Sequence, residues 1–248
     1  MNVSLLSHTP DALNLLLRTK NTRLKFDSDP NTWSDAQRAE HLAYMRDTIK
    51  SSWEFVDYTF QIEGVTRAFT HQLVRTRTGS YAQESQRTVD VRDNDVLPPD
   101  PEPDAWANAV QQVMGAYSSM IEAGVPAQDA RGILPTNITT SIIAKFTLRT
   151  LSDMARVRLC VRTQGEYQQV FRAMRSAVLA VHPWAEDFIQ VECCTSGTCA
   201  FPRYGRVSCT FWDPSMDRSA VIATTKEKFW GATTLHVATP VAIKGRTM

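Results

Sequence analysis

Polar and apolar positions along the chain follow two periods, and each marks a different kind of element. Ser34-Asp-Ala-Gln37 has the form of a capping box, and Leu42, Met45 and Ile49 follow at helical spacing, which predicts a helix over about 35–49. Residues 55–62, FVDYTFQI, are rich in aromatic and β-branched types and read as a strand. Val65 to Val74 forms a second apolar segment that runs straight into a polar loop, RTRTGSYAQESQR. After the proline-rich LPPDPEP at 97–103, Trp106, Val110, Val113, Tyr117, Met120 and Ile121 mark an amphipathic helix closed by Gly124 and Pro126. The pattern after LPTN predicts a long helix from about Ile138 to Leu159. Thr163-Gln-Gly-Glu166 reads as another capping box, ahead of a core stripe of Tyr167, Val170, Phe171, Met174, Val178 and Val181 that stops near Pro183. Past residue 190 only short β-like pieces stand out, Val207–Trp212, Ala220–Thr225 and Thr234–Pro240, suggesting a small appended β element. The expected organisation is a main domain over 1–190 and an extension over 191–248.

Composition narrows the class. With 248 residues, 43% hydrophobic and 21% charged, the chain can bury a real core, which excludes a disordered tail or a collagen-like repeat. No run of eighteen apolar residues occurs, and MNVSLLSHTPDALNLLLRTKNTRL has neither a basic leader nor a small-residue cleavage site, so a soluble cytoplasmic protein without a membrane partner is expected. A formal charge of +1 argues against nucleic acid as a partner, since clustered basic charge supplies much of that affinity. The cations are Arg-heavy, 20 against 7 Lys, and the planar guanidinium fork suits local anion sites. The cysteines, Cys160, Cys193, Cys194, Cys199 and Cys209, are odd in number and include no C-x-x-C pair, which favours reduced thiols over a disulfide framework or a zinc site.

The densest chemistry lies between Gln72 and Arg87, where three guanidiniums, five hydroxyls and several amides surround one glycine. Arg forks and hydroxyls can wrap a phosphate from several sides; the same composition also suits a solvated turn paired to Glu84 and Asp90. Arg131, Arg149, Arg156 and Arg158 occupy or flank an otherwise apolar helix, with Thr147, Leu151, Met154 and Arg158 on one stripe. Arg158 could snorkel from the core edge or aim into a ligand site. Arg149 and Asp153, four apart, fit a helix ion pair. There is no G-x-G-x-x-G, P-loop, H-E-x-x-H or G-x-S-x-G, and the five histidines show no ligand spacing.

R-T-R at 75–77, seven residues and then Ser85, with Gln72 before and Arg87 after, resembles the R-H-R-x7-S signature of the flavin-dependent thymidylate synthases, the ThyX family. NTRLKF at 21–26, SWEF-x2-YTFQI, ARGILPTN at 130–137 and TLRTLSDMARVRLCVRTQGEY at 147–167 resemble further blocks of that family in the same order. The resemblance implies an α/β (α+β) subunit with long helices packed on a mixed or antiparallel sheet, assembled as a homotetramer. It implies reductive methylation of dUMP to dTMP with methylenetetrahydrofolate as carbon donor, FAD as redox carrier and NADPH as reductant. By position, Ser51, Arg75, Thr76, Arg77, Gln83, Thr147, Arg149 and Asp153 are implied at FAD. Gln72, Arg75, Gln83, Ser85, Arg87 and Arg131 are implied at dUMP, and Arg158 beside the pyrimidine, favouring its N3-deprotonated form. No metal is implied.

The chain departs from the family pattern at several positions. Thr76 replaces the middle His of the signature, Ile49 and Phe55 replace two upstream histidines, Thr147 and Asp153 stand for asparagines, and Gln83 for a Glu. These changes gather on the flavin and folate side and imply altered redox tuning or folate handling, with the nucleotide side intact. Two other readings are a relative that installs another one-carbon group, such as hydroxymethyl, or uses another pyrimidine nucleotide, and a nucleotide-binding protein without catalysis.

Overall fold

A computed structural model describes residues 1–48, 50–199, 201 and 217–231. The chain divides into two compact units, Met1–Val191 and Glu192–Met248.

The first unit is organised by a four-stranded antiparallel sheet in the order β1-β2-β4-β3, formed by β1 (Asn2–His8), β2 (Asp57–Thr66), β3 (Ser80–Gln83) and β4 (Thr139–Thr147). In β2 the side chains of Tyr58, Phe60 and Ile62 are buried, and in β4 those of Thr140, Ile142, Ala144 and Phe146, so the two central strands turn their even-numbered positions to one core. Between Ile62 and Val65 the register shifts, and Gly64 takes up the extra length at φ 64°, a conformation in which a Cβ would be strained.

Helices carry the rest: α1 (Ala12–Leu24), α2 (Asp35–Thr48), α3 (Arg67–Leu73), α4 (Trp106–Glu122), α5 (Ala127–Ala130), α6 (Leu148–Arg158) and α7 (Gly165–Val181). The capping box ahead of α2 is present: Gln37 N–H donates to Ser34 Oγ at 3.3 Å, and Ser34 N–H donates to Gln37 Oε1 at 2.9 Å. On α7 the stripe Tyr167, Val170, Phe171, Met174 and Val178 is buried, whereas Val181 is exposed and ends it. Val91, Tyr117, Ala130 and Ile138 form a smaller cluster, with Met114, Met120 and Ile121 of α4 packed against it.

Several sequence expectations are corrected. The long helix from Ile138 to Leu159 is a strand followed by a helix. Residues 139–143, TTSII, are almost all β-branched, and burial alternates through Phe146; Thr147 then changes the period as N-cap, its Oγ1 accepting from Thr150 N–H at 3.2 Å. Thr147 therefore leaves the helical stripe of Leu151, Met154 and Arg158 and belongs to the cap. Phe55 lies outside its expected strand, in the 3₁₀ turn Lys50–Phe55, and the strand extends instead to Thr66. Thr163 and Glu166 form no capping box: Thr163 Oγ1 donates to Val157 O at 2.8 Å, and Glu166 accepts from Thr66 N–H at 2.7 Å and from Thr66 Oγ1 at 2.5 Å.

In the second unit, α8 (Glu192–Thr195) and α9 (Arg218–Lys226) are helical. Ala220–Thr225, expected as a β piece, lies in α9 because Asp217 caps it, its carboxylate accepting from Ala220 N–H at 3.0 Å. Thr225, whose hydroxyl donates to Val221 O at 2.6 Å, is fully buried there. Val207–Trp212 and Thr234–Pro240 lie outside the described residues, as do Ile49 and Cys209. Cys193 and Cys194 are buried, Cys160 and Cys199 half-buried, and no group of metal-ligating side chains forms among the described residues. No helix there is long and apolar enough to cross a membrane.

Under β1 and β2, His182 is buried, its Nδ1 3.0 Å from Tyr58 Oη and its ring edge-on to His8 at 4.8 Å. Burial, and then the neighbouring His8, lowers its pKa from 6.5. An unfolded chain then binds the proton more readily than the folded one. The stability His182 contributes is full above about pH 6.5 and is lost as pH falls through and below that value. Melts of wild type and His182→Gln between about pH 7.5 and 5.5 should show the wild type losing the larger share of its Tm; parallel curves would contradict the assignment.

Candidate active site

The polar loop of the sequence is a tight turn at the end of α3. Thr66 caps that helix, accepting from Phe69 N–H at 3.0 Å, and is itself clamped by Glu166 at the start of α7. At the other end, Thr76 N–H donates to Leu73 O at 3.0 Å and Gly79 N–H to Thr76 O at 3.1 Å. Tyr81 of β3 reaches back over the turn, its hydroxyl within 3.0 Å of Leu73 O and 2.7 Å of Thr76 O. A Cβ on Gly79 would lie 2.5 Å from both Tyr81 Oη and Phe146 Cε1, so only glycine permits this closure. The turn thus holds Arg75 and Arg77 exposed at the surface, and among the described residues neither side chain has an ion pair or hydrogen bond.

Three groups of site residues converge around this turn. In the first, Thr150 Oγ1 donates to Thr78 Oγ1 at 3.0 Å and Thr147 Oγ1 to Glu54 Oε2 at 3.0 Å, while Arg149 pairs with Glu54 at 3.4 Å and with Asp153 at 4.0 Å. Ser51, in the same 3₁₀ turn as Glu54, accepts from Arg23 Nη1 at 2.6 Å. These pairs are surface pairs, each worth about 0–1 kcal/mol, which a charged ligand can displace. Phe55 is 58% exposed beside them, an apolar surface where the family pattern has imidazole.

In the second group Gln72 Nε2 donates to Gln164 Oε1, and Arg158, half-buried at the end of α6, lays its guanidinium over the Tyr167 ring. In the third, Gln83 Nε2 donates to Thr70 Oγ1 at 2.8 Å, and Arg87 and Arg131 both reach Gln128, at 3.3 Å to its side-chain oxygen and 3.1 Å to its carbonyl. Ser85 Oγ accepts from Arg87 N–H at 3.3 Å. The two remote arginines are thereby brought to one place, which sequence spacing alone does not show.

Arg67, which carries no sequence signal, and Glu84 complete the third group. Arg67 donates to Glu84 O at 2.8 Å, and its pKa is lowered first by burial, with Arg131 beside it acting in the same direction. Its Nε is buried without a hydrogen-bond partner. Glu84 accepts from Ser141 N–H at 3.2 Å and Asn94 Nδ2 at 3.1 Å, so it is committed to holding the loop to β4 instead of pairing the loop's arginines. The alternative of a turn neutralised by Glu84 and Asp90 fails on this geometry, since Asp90 pairs with Arg92 at 2.6 Å.

An α/β subunit whose helix-end turn exposes two guanidiniums without partners among the described residues presents a local site of positive charge. The family described as Thymidylate synthase complementing protein matches residues 4–184. The chain is 32% identical over 206 residues to a flavin-dependent thymidylate synthase of Sulfurisphaera tokodaii, covering 78% of this chain and 79% of the relative. It is 33% identical over 195 residues to one of Geobacter sulfurreducens (74% and 84%), and 32% over 230 residues to one of Nitratidesulfovibrio vulgaris (84% and 93%). Its fold matches the crystal structure of thymidylate synthase X (ThyX) from Helicobacter pylori with FAD and dUMP at a TM-score of 0.63 and 18% identity, over 76% of this chain and 99% of that one. The chain belongs to the flavin-dependent thymidylate synthase family.

Proposed function

We propose that the chain reductively methylates dUMP to dTMP as an FAD enzyme, with methylenetetrahydrofolate as carbon donor and NADPH as reductant, working as a cytoplasmic homotetramer. The observation that carries this reading within the family is electrostatic: Arg75 and Arg77 on the turn, and Arg158 on the Tyr167 ring, have no carboxylate paired to them among the described residues. Guanidiniums without a carboxylate partner have their N–H groups available to phosphates and to an ionised ring. The residues present therefore fit an anionic flavin and an anionic nucleotide.

In this reading Arg75 and Arg77, with Thr76 between them, hold the flavin's phosphates, and Ser51, Gln83, Thr147, Arg149 and Asp153 bound the rest of its site. Gln72, Arg75, Gln83, Ser85, Arg87 and Arg131 hold dUMP, chiefly its phosphate, and the Arg67 Nε left without a partner adds a donor to that side. Arg158 faces the pyrimidine and stabilises negative charge at its N3 side, making the ring electron-rich. When bound, FAD supplies the redox chemistry; the chain supplies orientation and charge. Residues of more than one subunit close the flavin site, which accounts for surface-exposed Arg75 and Arg77.

Incubation of the purified protein with dUMP, methylenetetrahydrofolate, NADPH and FAD, followed by mass spectrometry, tests the reading. Formation of dTMP that stops when FAD is withheld is expected. A hydroxymethyl product would favour the relative with another one-carbon outcome, and no product at all would leave a nucleotide-binding protein. Sedimentation of the FAD-loaded protein should give a tetramer; a flavin-loaded monomer would sink the shared site.

A further inference from the structure

We infer that Tyr167 is a positioning residue for Arg158: its ring face holds the guanidinium in place without cancelling the charge it offers to the ligand. The inference rests on the nucleotide-binding role given to Arg158 above. The guanidinium carbon of Arg158 lies 4.4 Å from the centre of the Tyr167 ring, within cation–π range. No carboxylate pairs with Arg158 among the described residues. The distinction matters chemically. A carboxylate would hold the guanidinium by cancelling the charge that an ionised pyrimidine needs, whereas a ring face attracts the cation and leaves that charge in place.

The ring is built to stay where it is. Tyr167 is fully buried in the first turn of α7, and Phe69 of α3 meets it edge-on at 5.0 Å and 86°. The adjacent Glu166 ties that turn to the cap of α3 through both of its bonds to Thr66. Gln168 Nε2 donates to Leu159 O at 3.0 Å, joining the same turn of α7 to the end of α6 from which Arg158 extends. The phenol oxygen is buried, and the polar groups beside it are Thr76 of the binding turn and Arg158 itself. The hydroxyl therefore faces the binding turn and the guanidinium, which places Tyr167 on the ligand side of the packing.

The test substitutes the ring and follows turnover, dUMP binding and stability together. Tyr167→Met, which fills similar space without a ring face, should lower kcat about tenfold while the dUMP dissociation constant measured by calorimetry stays within about twofold. Tyr167→Phe should retain most of the turnover. Adding Tyr167→Met to Arg158→Ala should cost nothing further, because both act through one guanidinium. Phe171→Met, as deeply buried and one turn further along α7, should lower Tm comparably and leave kcat near wild type. If Tyr167→Met fails to fold, phenylalanine and trifluorophenylalanine at position 167 keep the shape and weaken only the ring's attraction for a cation, so kcat should fall between them. Additive losses in the double variant, equal kcat in the fluorinated series, or the same kcat loss in Phe171→Met would overturn the inference. A wild type that forms no dTMP would instead overturn the proposed function.

Discussion

Arg158→Lys should fold, bind dUMP nearly as well as wild type and turn over about a hundredfold more slowly. Lys keeps a positive charge but not the planar fork whose central carbon lies 4.4 Å from the Tyr167 ring centre. One charge-assisted interaction made chiefly in the transition state is worth about 3 kcal/mol, which sets the size of the loss. Arg87→Ala should behave differently, raising the KM for dUMP first, because a phosphate contact with Arg87 would serve ground and transition states alike. A core-edge arginine that merely snorkels would give a small Tm loss in Arg158→Ala and no kinetic defect in Arg158→Lys. Steady-state kinetics and a melt on the three variants separate these outcomes, and unchanged turnover in Arg158→Lys removes Arg158 from the catalytic role.

Gly79→Ala should be the most damaging change of a single methyl group in the binding turn. The added carbon would stand 2.5 Å from both the Tyr81 hydroxyl and the Phe146 ring, distances no packed Cβ tolerates. Tyr81 can yield only by releasing Leu73 O and Thr76 O, and Phe146 only by leaving the core, where it is 1% exposed. Overpacking of this kind costs about 1–3 kcal/mol, and the same movement disorders the carbonyls that shape the Arg75–Arg77 turn. A lower Tm accompanied by loss of FAD binding is expected. Full FAD affinity in a destabilised variant would show that the closure by Tyr81 does not set the turn.

Much of this arrangement was legible in residue order, and the exceptions have physical reasons. The helices α2, α4 and α7 were readable because their apolar positions recur over several turns, a signal no loop imitates. The strand β4 was not, since Ile142 and Ile143 place two large apolar side chains in succession and hide the alternation that burial reveals. β1 and α1 carry weak patterns of their own and are defined by pairing and packing, β1 by its register with β2 from Asn2↔Glu63 to His8↔Tyr58. At the site, the loop residues Gln72 to Arg87 were conspicuous through composition. The meeting of Arg87 and Arg131 at Gln128 was invisible, because it depends on the fold bringing together residues 44 positions apart. Glu166 was misassigned for the same reason: its partner, Thr66, lies 100 residues away rather than three. Arg67 carried no motif and Tyr167 read only as a core position, and an unpartnered nitrogen and a cation over a ring face identify their place at the site.

The closure by Tyr81 also ties the fate of the turn to the margin of the sheet. β3 is only four residues long, lies at the end of the strand order and pairs with β4 alone. Short edge strands open locally at a fraction of the free energy needed to unfold a core. Each such opening would carry the phenol away and free both carbonyls, so the arginine turn would exchange its amide protons in step with β3 rather than with α3, from which it emerges. The binding turn then belongs dynamically to the sheet edge, and a ligand that pins the arginines would quiet β3 from a distance along the same bonds.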